Sequence, residues 1–155
     1  MHRLLSVRLA ILVVAILATA IPVAADHERA FKGYADVVVT GFEPLPPFPP
    51  AYVRLTGTAT GEATHLGSYT RTETLTLKIA DGSISGSIVF TAANGDELWA
   101  DVEGGFTNLE MTRAEGTYAF TGGTGRFQNA SGGAAFVAVA VAGGFKITFD
   151  GSIQY

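Results

Sequence analysis

Cysteine is absent from all 155 positions. That absence excludes disulfides, thiolate metal sites, a cysteine nucleophile and a lipid-anchored N-terminal cysteine. Histidine is nearly as scarce. Beyond residue 25 only His27 and His65 remain, so a histidine metal cluster within one chain is not expected. No Gly-x-Ser-x-Gly elbow occurs, and no helical stripe persists for more than about two turns after Ala25. Neither a cofactor nor a metal is implied.

The one long apolar run is also short of a membrane span. Leu9 to Ile21 is uncharged over thirteen residues, against the roughly 20 that a spanning helix needs. Arg3 and Arg8 precede it, Pro22 breaks it, and Val23-Ala24-Ala25 offers small residues for cleavage before Asp26. Residues 1–25 therefore read as a signal peptide, and the expected location is secreted or periplasmic. Removal of Arg3 and Arg8 leaves eight basic side chains against 14 acidic ones, a net charge of −6. Such a balance repels phosphate backbones and anionic lipid, so no nucleic-acid partner is expected, and no membrane partner once the leader is cleaved.

What remains, residues 26–155, is enough for a single domain with one core. Its apolar residues recur with period two, the mark of half-buried strands. Phe145, Ile147, Phe149, Gly151, Ile153 and Tyr155 share one face, opposite Lys146, Thr148, Asp150, Ser152 and Gln154. Similar alternation runs through 31–40 and 53–62, and further strands fall near 67–79, 83–92, 96–103, 112–120 and 131–142. Asp81-Gly82, Asn94-Gly95, Gly104-Gly105 and Gly143-Gly144 separate them as turn dipeptides. Eight short-linked strands predict an all-β, antiparallel up-and-down barrel, whose closure removes aggregation-prone edges.

Two segments break the pattern. Residues 43–50 hold five prolines, which lack the amide donor a ladder needs, and are expected to form a stiff connector. Ala134 to Val141 is apolar on both faces, so its outer side needs a cover: a second copy of the chain, or the Pro-rich segment folded across the wall.

Gly122-Gly123-Thr124-Gly125-Arg126-Phe127 is not a phosphate cradle. It lacks the Gly-Lys-Ser/Thr of a P-loop, and Gln128 stands where a dinucleotide turn needs its third glycine. With Ala130-Ser131-Gly132 it resembles instead the Gly-Gly-Thr-Gly-Arg-Phe…Ala-x-Gly signature of the allene oxide cyclase and dirigent barrel superfamily, especially its secreted bacterial members. The Gly61-Glu62-Ala63-Thr64-His65-Leu66-Gly67 hairpin and the Ala92-Ala93-Asn94-Gly95-Asp96 turn are similar to that branch. The resemblance implies an eight-stranded, calycin-like barrel with an apolar cavity. Plant members rearrange a fatty-acid epoxide or steer radical coupling, but no catalytic position carries over to a numbered residue here.

Chemistry is expected in the strand at 67–79. Tyr69, Arg71, Glu73, Leu75, Leu77 and Ile79 share a phase, so if the leucines face inward then Arg71 and Glu73 do too, unless a bulge flips the register. A buried charge demands a partner, either the other charge or a ligand. His65, Asn94, Asp96, Arg126 and Asn129 lie on connections expected at one end of the barrel, where they would ring a mouth with Tyr69 and Arg71; turn chemistry explains Asn94 and Arg126 equally well. Trp99 falls on the outward phase, and Asn129-Ala130-Ser131 is a glycosylation sequon. These residues suggest a barrel binding a small apolar or amphipathic molecule, with Tyr69, Arg71, His65, Asn94 and Arg126 as candidate contacts. An isomerase or cyclase with Glu73 as base, a dirigent-like coupling guide, and a structural barrel with a filled interior are the alternatives.

Overall fold

The computed structural model describes residues 27–155; the expected leader lies outside them. Eight strands follow in order: β1 (Arg29–Leu45), β2 (Tyr52–Ala63), β3 (Gly67–Lys78), β4 (Ser83–Ala92), β5 (Glu97–Phe106), β6 (Arg113–Gly123), β7 (Ser131–Val141) and β8 (Gly144–Gln154). Each pairs antiparallel with its neighbours in sequence, and β1 pairs with β8, so the sheet is a closed barrel. The wall has no free edge along the paired length.

Period two carries into the burial pattern. Phe31, Ala35, Val37, Ile88, Phe90, Leu98, Tyr118, Phe149 and Ile153 all point into the lumen and are buried. Aromatic rings fill the centre: Phe31 stacks on Phe149 with centroids 5.3 Å apart and meets Phe120 edge-on at 4.8 Å. Contacts of this kind contribute about 0.5–1.5 kcal/mol each beyond the area they bury.

Two expectations about strand limits need correction. Glu43, Pro44 and Leu45 do join the ladder, opposite Arg54, Val53 and Tyr52. Pairing of β1 with β8 stops at Val38 and Gly144, so beyond a bulge between Val39 and Gly41 the strand has a neighbour on one side only. A missing amide on the open side costs no ladder bond. The connector is therefore 46–51. Gly104 and Gly105 likewise lie inside β5, paired with Gly116 and Glu115, and the turn falls at 107–112. A Cβ on Gly104 would sit 2.4 Å from the Glu115 carbonyl oxygen; the glycine permits close approach of two strands rather than a reversal.

Connections alternate between the two ends of the barrel. One end carries 64–66, 93–96 and 124–130 with the start of β1 and the end of β8; the other carries 46–51, 79–82, 107–112 and 142–143. Trp99 faces outward, with its indole N–H donating to Glu97 Oε2 at 2.9 Å. Among the described residues nothing covers the outer side of β7, where Ala135, Val139 and Val141 are exposed. The Pro-rich segment does not lie across it.

Candidate functional site

β3 runs without a bulge against both neighbours, from Tyr52 opposite Lys78 to Ala63 opposite Gly67 and from Tyr69 opposite Ala92 to Leu77 opposite Ile84. The register is therefore not flipped. Tyr69, Arg71 and Glu73 enter the lumen on the phase of Leu75 and Leu77, while Ile79 falls beyond the strand and is exposed.

Arg71 is 3% exposed, the one charged residue buried among the described residues. Its Nε donates to Glu73 Oε2 at 3.0 Å, its Nη2 donates to the same oxygen, and its Nη1 donates to the Tyr118 hydroxyl at 3.0 Å. The guanidinium also lies over the Phe90 and Tyr118 rings, 5.7 and 5.6 Å from their centroids. Two carbons separate the Glu73 carboxylate from its backbone, and the carboxylate gets its room from a gap in β2. Gly57 stands opposite Glu73, and a Cβ there would come 2.8 Å from Glu73 Oε1. Among the described residues no group donates to that oxygen.

Electrostatics follow from this packing. Burial opposes the Arg71 charge, but Tyr118 and Glu73 outweigh burial and raise its pKa above the ordinary value. Burial pushes the Tyr118 phenol up, with Arg71 pulling partly the other way. Tyr69 is raised for the same leading reason, again against the pull of Arg71. Both phenols are thus held neutral at any ordinary pH, the Tyr69 hydroxyl donating to the wall and the Tyr118 hydroxyl accepting from Arg71.

Tyr69 donates its hydroxyl to the Tyr34 carbonyl oxygen at 2.8 Å. It reaches across Gly61, where a Cβ would approach the hydroxyl to 2.8 Å and that carbonyl oxygen to 2.0 Å. The phenol is spent on the wall and does not line the central cavity.

That cavity starts at Arg71, Glu73 and Tyr118 and runs between Leu55, Leu75, Ile84 and Val102 toward Phe106 and Phe145. These are the residues that lead to 46–51, 79–82, 107–112 and 142–143, so the opening is at that end. The cavity volume is about 60 Å³, and about 600 Å³ when all the space out to solvent is counted. Its walls are apolar apart from Thr56 and the Arg71, Glu73 and Tyr118 floor.

The opposite end, where the sequence suggested a mouth, is plugged. Phe127 of the Gly125–Phe127 turn is fully buried there with Leu66 and Ile153, and the Tyr155 ring closes over Phe127 at 5.1 Å. His65 seals the seam: Nε2 donates to the Ala30 carbonyl oxygen and Nδ1 accepts from the Tyr155 hydroxyl, both at 3.1 Å. Asn94 donates to Asp96 at 3.0 Å, Arg126 lies 3.7 Å from the same carboxylate, and Asn129 is exposed. Arg126 also covers the Phe127 ring at 4.9 Å. The structure thus brings Arg71 and Glu73 together at the cavity and groups His65, Asn94 and Arg126 around the plug, away from it.

Sequence reasoning did not single out Tyr118 or Gly57. Tyr118 shares the inward phase of Ala114 and Phe120, a phenol among apolar residues. Gly57 is a gap in a valine- and leucine-bearing face, and only the pairing of β2 with β3 reveals what occupies it. Among the described residues no group of three or more His, Asp or Glu side chains is placed to hold a metal ion.

No family model matches the chain, and no curated protein does. Solved structures do. The structure of the pterocarpan synthase dirigent protein GePTS1 superposes with a TM-score of 0.60 at 15% identity, over 94% of this chain and 99% of that one. The pterocarpan synthase dirigent protein PsPTS1 gives 0.59 at 14% identity, over 84% and 96%. The fold is the dirigent barrel. The dirigent barrel is shared as an architecture, and at this identity it carries no residue roles across.

Proposed function

We propose that this dirigent-type barrel is an exported binding protein that takes a small apolar or amphipathic molecule into the cavity between Arg71 and Phe106. The observation that carries the reading is the position of the one buried charge cluster. Burying an ion pair is costly, and barrels without a ligand are better served by apolar packing. Here the pair sits at the floor of a hollow with apolar walls, the usual composition of a small-molecule site. At about 60 Å³ the cavity takes only a few heavy atoms, since pockets for larger ligands run to about 300–1,000 Å³, so the rest of the molecule would extend past Phe106 and Phe145 toward solvent. Export, expected from residues 1–25, belongs to the same reading, as does association of copies through the outer side of the strand from Ala134 to Val141.

A second reading has support from the comparisons. Two dirigent proteins share the fold, which favours a dirigent-like guide that holds a reactive molecule without supplying catalysis. Both readings need an occupied cavity, and a filled, purely structural interior needs none. Native mass spectrometry after exposure to a panel of small alcohols, acids and phenols separates them, with Ala114→Leu as the control because its added carbons fill the cavity. Saturable adducts on wild type that vanish in the variant support binding. Absence of any adduct, or equal adducts on both proteins, leaves the structural barrel.

A further inference from the structure

Glu73 is unevenly used. Both bonds from Arg71 go to Oε2, although a guanidinium facing a carboxylate ordinarily takes both oxygens. Among the described residues Oε1 receives no donor; it is open rather than sealed, since no buried side-chain oxygen lacks a partner, and Glu73, its side chain 10% exposed, lines the cavity. A carboxylate oxygen is acceptor-only, so a ligand that displaces solvent from it without bringing a donor leaves it unsatisfied at a cost.

We infer that the cavity selects an uncharged apolar molecule carrying a hydroxyl, and that this hydroxyl donates to Oε1 of Glu73. The inference rests on the binding reading above and adds the chemistry of the occupant. A carboxylate is rejected on two grounds. It brings a second acceptor and a second negative charge to Oε1, and the Arg71 charge that could welcome it is engaged by Glu73 on one side and Tyr118 on the other. An ammonium has donors but must shed its water inside apolar walls, beside a guanidinium that already shares the same carboxylate. A neutral hydroxyl supplies the missing donor with no new charge. Molecules of the same shape without a donor leave Oε1 unsatisfied, which costs about ten-fold or more in affinity. Arg71 is then a positioning residue: it fixes the carboxylate through Oε2 so that Oε1 faces the hollow.

The test is a nuclear magnetic resonance titration of the wild-type protein with four probes of one length: octanol, heptyl methyl ether, octanoate and octylammonium. Octanol is expected to saturate, the ether to bind about ten-fold or more weakly, and the two ions to give no saturable shift. In Glu73→Gln the amide both donates and accepts, and the Arg71 charge is released. The octanol preference over the ether should shrink, and octanoate should become a ligand. A merely structural Glu73 would not exchange one specificity for the other.

Equal binding of octanol and ether to wild type, or tighter binding of either ion, overturns the inference while leaving the chamber in place. Binding of none of the four overturns both the inference and the binding reading. Unchanged selectivity in a folded Glu73→Gln variant also overturns it; if that variant does not fold, the wild-type ranking decides alone.

Discussion

Arg71 and Glu73 stand two residues apart on one face of β3, and both nitrogens that Arg71 turns toward Glu73 converge on a single carboxylate oxygen. The pair is nearly buried, at 2% and 10% side-chain exposure. In an interior otherwise made of aromatic rings and aliphatic chains, it is the feature around which stability and selectivity should both turn.

Breaking the pair should cost more than deleting it. Arg71→Ala leaves a carboxylate in an apolar hollow, and a loss of about 3–5 kcal/mol is expected. The double replacement Arg71→Met with Glu73→Leu removes both charges and should be near neutral or stabilising. Urea denaturation of the two proteins checks this. Equal losses in the single and double variants would mean that the two charges are not coupled.

Glycines opposite the polar side chains should resist substitution in a graded way. In Gly61→Ala the new Cβ would meet the fixed Tyr34 carbonyl oxygen at 2.0 Å, whereas in Gly57→Ala it would meet the movable end of Glu73 at 2.8 Å. Each overpacks the wall by an amount typically worth about 1–3 kcal/mol. Gly61→Ala is expected to be the worse of the two in thermal unfolding. Gly57→Ala should in addition disturb the cavity floor.

How much of this was legible beforehand follows from what each signal depends on. Period two is a local property, so the eight strands and the inward phase of Arg71 and Glu73 could be read directly, as could the outward Trp99. The end at which the lumen opens is not local. His65, Asn94 and Arg126 do gather at one end as their hairpins require, yet Phe127, two residues past Gly125, folds in beneath Tyr155 and plugs it. A buried phenylalanine and a pocket-lining one look alike in sequence. Gly104-Gly105 misled for a related reason, since close strand approach and chain reversal both call for a missing Cβ.

Alkaline pH should reveal the two interior phenols. Tyr69 and Tyr118 are both raised above the ordinary phenol value of about 10, chiefly by burial. A group whose folded pKa lies above its unfolded one gives stability that is complete below the unfolded value and is lost as pH rises through the folded value. Stability should therefore decline above about pH 10. Ultraviolet absorbance of tyrosinate should show Tyr69 and Tyr118 ionising only as the protein unfolds. Ionisation of these two at the ordinary phenol pH in the folded protein would contradict the buried placement.

The bare outer side of β7 bears on association. Val139 and Val141 are each 45% exposed, and Val139 lies between Arg113 on β6 and Lys146 on β8. If copies meet there, Val139→Lys places a third cation in that row and should lower the mass seen by light scattering while leaving the thermal transition of the monomer within about 0.5 kcal/mol. An unchanged mass would remove this face from the account.

The most direct measurement is a map of methyl resonances during titration with octanol. Binding between Arg71 and Phe106 predicts saturable shifts at Leu75, Ile84 and Ile88, with Leu66, Leu98 and Ile153 at the plugged end unmoved. Shifts confined to that plugged end, or none at all at saturating probe, would contradict a chamber floored by Arg71 and Glu73.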